Sequence, residues 1–165
     1  MHQRFAQAVL PLLASAALGP ALAQQQKVKP APPAATVAGF TVNITYSPKA
    51  KETLVARKET VIVFGYLYGS PRQGTPERYI DDGGQVYLGG LKDEIVPGAT
   101  ATFDRIKLNP AMMKWIDSQG TQLNINVASG RKSSPNNLLD CGIYEGPLKD
   151  VEGKSIPIAC KLIGE

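Results

Sequence analysis

Carboxylate pairs are the one catalytic chemistry this sequence leaves open. Glu77, Asp81-Asp82, Asp93-Glu94 and Asp140 are its candidate acids. A glycoside hydrolase needs two such groups facing each other across a cleft, one of them with a raised pKa. Most of these acids fall where turns are expected, and adjacent acids in a turn are ordinarily solvated caps, so no catalytic residue is expected. Calcium could use Asp81 and Asp82 with backbone carbonyls, but the alternating Asp/Asn spacing of a dedicated loop is missing and a turn is the better reading. Imidazole chemistry is excluded more firmly. The chain has one histidine, His2, in a segment read below as cleaved, so neither a Ser-His-Asp nor a Cys-His mechanism has a base. Glycine-rich phosphate loops of Rossmann or Walker spacing are absent. No cofactor and no metal site are expected.

The remaining chemistry is recognition. Tyr66, Tyr68, Tyr79, Tyr87 and Trp115 could form a platform for stacking sugars. The plainer reading makes Trp115 a buried lid on a short amphipathic helix, and places Tyr66 and Tyr68 with Ile62 and Phe64 on a core or rim face of one strand. Two polar loops could serve a partner: Gly69 to Glu77, carrying Arg72 and Gln73, and Ser129 to Asn137, carrying Arg131, Lys132 and Asn136. Loops on a rigid scaffold are where binding tends to reside. Nucleic acid is not an expected partner, because the basic residues are spread along the chain and cluster only as Arg57-Lys58 and Arg131-Lys132.

The N-terminus sets the compartment. Arg4, the apolar run Ala8 to Leu18 and the small-x-small site Ala21-Leu22-Ala23 read as a secretory signal peptide over residues 1–23, cut before Gln24. The run is shorter than the roughly 20 residues of a membrane span, so no transmembrane segment is expected in the mature chain. A periplasmic or secreted location follows. In that oxidising setting Cys141 and Cys160, the only cysteines, are expected to form one disulfide. Closing a loop of that length contributes about 3 kcal/mol in the chain-entropy model.

Residues 24–38 contain three prolines and no aromatics and read as a flexible leader, with the folded domain over 39–165. Phe40 to Tyr46 alternates as a half-buried strand. Ser47-Pro48 and Asn109-Pro110 each offer an N-cap followed by proline, opening two short helices. Thr60 to Tyr68, apolar on both faces, reads as the central strand, and Gln122 to Ala128 as a strand with Asn124 and Asn126 outward. Further strands are expected at Glu77 to Ile80, Gln85 to Leu88, Asp93 to Val96, Ala101 to Leu108, Leu138 to Tyr144 and Ser155 to Ile163. Turns are expected at Asp81 to Gly84, Gly89-Gly90 and Pro97-Gly98. An echo at an offset of 62, strand, capped helix, strand, is read as coincidence or fold constraint. The sum is all-β: an antiparallel β-sandwich, immunoglobulin-like or transthyretin-like, with two short helices.

The stretches ETVIVFGYLYGSPRQG from Glu59, GQVYLGGLKDEIVPG from Gly84 and NNLLDCGIYEGPL from Asn136 resemble small uncharacterised exported proteins of proteobacteria. That resemblance implies a compartment and a β-sandwich and carries no activity. The turn Gly69 to Gly74 is more loosely similar to those of transthyretin-like and carboxypeptidase-regulatory-like sandwiches. The expected function is an exported, non-catalytic binding or accessory module of the cell envelope, monomeric or weakly associating, presenting loops to a protein or glycan. A carboxylate-based glycan hydrolase and a small-ligand carrier are the alternatives.

Overall fold

The structure, a computed structural model, describes residues 35–165; the expected signal peptide over 1–23, with His2, and residues 24–34 of the expected leader over 24–38 lie outside them. Eight strands form two four-stranded sheets. They are β1 (Ala35–Tyr46), β2 (Val61–Gly69), β3 (Val86–Ile95), β4 (Ala101–Leu108), β5 (Gln122–Ser129), β6 (Leu139–Cys141), β7 (Tyr144–Pro147) and β8 (Ser155–Leu162). One sheet has the order β4-β1-β8-β6, the other β3-β2-β5-β7. No described helix is long and apolar enough to cross a membrane.

Alternation determines what each sheet buries. Phe40 and Val42 of β1, Ile156, Ile158 and Cys160 of β8, Val61, Val63 and Leu67 of β2, and Leu123 and Ile125 of β5 all belong to one buried cluster. The two helices are α1 (Pro48–Ala56) and α2 (Pro110–Met113). Each has the expected cap: Ala50 N donates to Ser47 Oγ, and Ala111 N to Asn109 Oδ1, both at 3.1 Å. Ala50 and Leu54 of α1 join the core. Both halves of the sequence echo run from one sheet through a capped helix to the other, and their strands pair with each other, β1 with β4 and β2 with β5.

Several expectations are corrected. The sheets are not wholly antiparallel, since β1 and β8 run parallel, a direction that alternation along one strand cannot encode. Strand β1 starts at Ala35 rather than Phe40, because Ala35 to Ala38 pair with β4. Phe103 and Ile106, three residues apart and so on opposite faces of a regular strand, are both buried. The β1–β4 ladder skips the pair Gly39 and Asp104, where a Cβ on Gly39 would lie 2.0 Å from the Phe103 carbonyl oxygen. Glu77–Tyr79 is a 3-10 turn rather than a strand, with Tyr79 N bonded to the Pro76 carbonyl and Ile80 N to that of Glu77. Gly89-Gly90 does not turn the chain but lies inside a continuous β3, where the register with β2 shifts. Leu138 to Tyr144 is divided between β6 in one sheet and β7 in the other.

The disulfide between Cys141 and Cys160 is present. The two residues face each other across β6 and β8. The flanking bond from Gly142 N to the Ala159 carbonyl makes them a non-hydrogen-bonded pair, the position where opposing Cα atoms come closest; here they are 4.1 Å apart.

Candidate functional site

The two outer sheet faces differ in chemistry. Outside β1 and β8 stand Thr41, Asn43, Thr45, Pro157 and Ala159, all short. Outside β2 stand Ile62, Phe64, Tyr66 and Tyr68. Register builds rows across that second sheet: Tyr87, Tyr68, Gln122 and Pro147 form one, and Gly90, Tyr66, Asn124 and Glu145 the next. Tyr66 and Tyr68 are therefore on the outward face, not in the core. Tyr68 is buried there by its neighbours while Tyr87 is 47% exposed. The Tyr66 ring lies 5.6 Å from that of Tyr68 and 5.3 Å from that of Tyr87, centroid to centroid.

Gly90 makes this arrangement possible. Its missing Cβ leaves the space where the Tyr87 hydroxyl rests, 2.9 Å from where that carbon would stand, so the Tyr87 ring reaches back along its own strand toward Tyr66. Gly90→Ala should therefore displace the Tyr87 ring while leaving the core untouched. Its thermal midpoint should stay within about 2 °C of wild type, because the displaced group is the free end of a surface side chain. Tyrosine fluorescence and a crystal structure of the variant check this.

Acceptors hold the phenols. Tyr68 donates to Glu145 Oε1 at 2.6 Å, and Tyr66 donates to Asp81. Asp81 is the first residue of the expected turn, and its Oδ1 also accepts from Gly83 N at 2.9 Å and Gln85 N at 3.0 Å. Burial, followed by the Asp81 bond, pushes the Tyr66 phenol up to about 12. Burial and then the Glu145 bond do the same for Tyr68. Both phenols stay protonated at any physiological pH. Asp81 is shifted the other way: the Tyr66 hydrogen bond, then the Gln85 and Gly83 amides, hold its carboxyl below the usual carboxylate range despite some burial. Asn126 donates to Asn124 on the same face.

A second aromatic pair continues the surface. Trp115 packs against the core cluster as the expected lid would, but is only partly buried. Helix α2 ends at Met113, and Trp115 sits half-buried, stacked on Tyr79 with centroids 5.4 Å apart. The loop before the 3-10 turn is tied to this segment, as Arg72 N donates to the Trp115 carbonyl at 3.0 Å and Asp117 N to that of Ser70 at 2.9 Å. A cavity of about 270 Å³, lined by Arg78, Tyr79, Asp81, Tyr87 and Asn109 among others, lies between the Trp115–Tyr79 pair and the Tyr66–Tyr68–Tyr87 group. Tyr79 and Tyr87 line this cavity, and ring contacts link Trp115 to the first and Tyr66, with buried Tyr68 behind it, to the second.

The loop candidates are not brought together. Arg72, with exposed Gln73 beside it, lies past the end of β2 and carries its guanidinium over Trp115 at 5.4 Å. Arg131, Lys132 and Asn136 lie near the start of β2, about 27 Å away along the strand at about 3.4 Å per residue. Lys132 there pairs with Glu94 at 2.9 Å. Arg131 adopts a left-handed φ of 60°, and the two residues after it turn their amides onto a carboxylate the sequence did not single out. Glu59 is 2% exposed and accepts from Lys132 N at 2.9 Å, Ser133 N at 2.7 Å, Ser133 Oγ at 2.6 Å and Thr60 N at 3.0 Å.

The acids proposed for catalysis are scattered. Glu77 and Asp82 are exposed, Asp93 accepts from Thr102 N, Glu94 is paired with Lys132, and Asp140 faces Lys161 at 3.6 Å on the other sheet. The acid beside the aromatic face that sequence reasoning missed is Glu145. The only available hint was its place one residue after Tyr144, in a segment whose change of sheet is invisible in the sequence. Among the described residues no group of three or more His, Cys, Asp or Glu is placed to hold a metal ion. Comparison of the chain with protein families, with curated proteins and with solved structures returns no match.

Proposed function

We propose that this chain is an exported, non-catalytic glycan-binding module of the cell envelope, with the outer face of the β3-β2-β5-β7 sheet as its binding surface. The carrying observation is the gathering of Trp115, Tyr79, Tyr87, Tyr66 and Tyr68 beside Asp81, Asn124 and Glu145. Flat rings offer the apolar faces of sugars a partner, and carboxylate and amide oxygens accept from their hydroxyls. The site joins a sheet face to the segments carrying Tyr79 and Trp115, and does not include the Ser129 to Asn137 loop. Two four-stranded sheets around one core support reading the scaffold as a β-sandwich; the immunoglobulin-like and transthyretin-like types differ in strand order. Export is supported by the N-terminal pattern and by a disulfide, which persists in oxidising compartments. Processing before Gln24 is tested by N-terminal sequencing of the protein recovered from the periplasm. The protein acts as a monomer in this reading.

The hydrolase alternative has one pair of acids to draw on, Asp81 and Glu145, each on the aromatic face. A general acid needs a proton to give and a free approach to the ligand; Asp81 is held by three donors that favour its charged form, and Glu145 already accepts from Tyr68. Binding without turnover is the better reading. The small-ligand carrier fits less well, because Val42, Val61, Val63, Leu67, Leu123 and Ile125 are fully buried between the sheets.

Tyr87→Ala tests the proposal. Removing a half-exposed ring from the centre of the surface should weaken oligosaccharide binding by a factor of about ten or more, near 1.4 kcal/mol, at unchanged thermal midpoint. Isothermal titration with the saccharides that bind best on an oligosaccharide array measures it. Equal affinity of Tyr87→Ala and wild type for every bound saccharide would remove the platform. Release of reducing ends on prolonged incubation would restore the hydrolase.

A further inference from the structure

The aromatic surface is chemically polarised along its length. At the Trp115 end, Arg72 lies 5.4 Å and Lys114 4.9 Å from the Trp115 ring centroid, and Arg78 lies 4.6 Å from that of Tyr79. None of the three forms an ion pair among the described residues, whereas Lys132 and Lys161 each have one. The Trp115 indole Nε1 is buried with no hydrogen-bond partner among the described residues. Arg72, Arg78 and Lys114 outnumber the two acids of these segments, Glu77 and Asp117, so this end carries net positive charge. At the Tyr66–Tyr68 end the groups on offer are acceptors, Asp81 and Glu145. The cavity of about 270 Å³ has Arg78 and Asp81 both in its lining and so spans the change of sign.

We propose that the Trp115 end binds an acidic substituent of an oligosaccharide, held by Arg72, Arg78 and Lys114, while neutral sugars of the same chain extend over Tyr79 and Tyr87 toward Tyr66. The inference rests on the glycan-binding reading above and adds the chemical class of the glycan. Guanidinium and ammonium groups favour carboxylate, sulfate and phosphate oxygens, and a wholly neutral ligand would leave three clustered cations uncompensated. Single-stranded nucleic acid also uses aromatic rings and cations. Its evenly spaced phosphates, however, would meet Asp81 in the cavity lining and Glu145 farther along the sheet, so a ligand with its charge at one end fits the surface better.

The test uses the purified protein with its disulfide intact on an array in which neutral oligosaccharides are matched by versions bearing a carboxylate, a sulfate or a phosphate. The best matched pair is then followed by titration at low and high salt. The acidic member should bind at least tenfold more tightly at low salt, and salt should erode most of that advantage. Arg72→Gln, Arg78→Gln and Lys114→Gln should each reduce the preference several-fold at unchanged thermal midpoint, and Tyr87→Ala should weaken both members. Equal binding of neutral and acidic members, indifferent to the three cation variants, overturns this inference and leaves glycan binding standing. Absence of any bound saccharide overturns both. Tighter binding of an oligothymidylate than of any acidic saccharide overturns it in favour of a nucleic-acid surface.

Discussion

Glu59→Ala should destabilise the protein by about 3–5 kcal/mol, the range for losing a buried group that satisfies several donors at once. The carboxylate stands just before β2 and accepts four hydrogen bonds, three of them from backbone amides of Thr60, Lys132 and Ser133. Deleting it strips the acceptor from all four donors, and water can replace it only in part, at the exposed Lys132 and Ser133. Glu59→Gln keeps the shape but loses the charge and one acceptor oxygen, and should cost about half as much. Burial alone would raise this carboxyl's pKa. The Ser133 hydroxyl and the Lys132, Ser133 and Thr60 amides outweigh it and bring the value down to about 2 from an ordinary 4.5. Because the folded value lies below the unfolded one, the stabilisation is fully present above about pH 4.5 and is lost as pH falls toward 2, by about 2–3 kcal/mol in all. Denaturant titrations across that window should show wild type losing stability more steeply than Glu59→Gln. Parallel pH profiles of the two proteins would refute the linkage.

Replacing both cysteines, Cys141→Ala with Cys160→Ala, should lower stability by about 3 kcal/mol, the chain-entropy value for a loop of this length. That corresponds to a midpoint roughly 10 °C lower for a domain of this size. The bridge joins β6 to β8, and β6 is a three-residue edge strand with little other pairing to hold it. Loss of the bridge should therefore show first as faster amide exchange at Leu139 to Gly142. The aromatic face lies on the other sheet, so oligosaccharide affinity measured well below the new midpoint should be unchanged. A midpoint indistinguishable from wild type would mean that β6 is held by packing alone.

Local patterns carried much of the architecture. Period-2 alternation marked Phe40 to Tyr46 and Gln122 to Ala128, and the two cap-proline pairs marked both helices, because these signals act within a few residues. Glycine was the least faithful guide. Gly89-Gly90 has the composition of a turn, yet it stays in a strand because the two residues pair with Leu67 and Tyr66 of β2. Glu77 to Ile80 was mistaken for a strand because the proline before it favours local bonds over a ladder. Glu59 was passed over because an acid at the head of an apolar run looks solvated until the loop that covers it, more than 70 residues later, is in place.

Residue types by themselves determined that residues 35–165 carry no histidine, that Cys141 and Cys160 are the sequence's two cysteines and so available to each other, and that the described part would be largely β. Those conclusions need inventory and short-range period, not position in space. Only the tertiary structure decided that the outward side of β2 carries tyrosines rather than core, that Tyr79 and Trp115 stack, and that Arg72, Arg78 and Lys114 gather on them. A single strand's alternation separates two faces without saying which one is covered; that depends on which strands from elsewhere in the chain, and which second sheet, arrive to bury it.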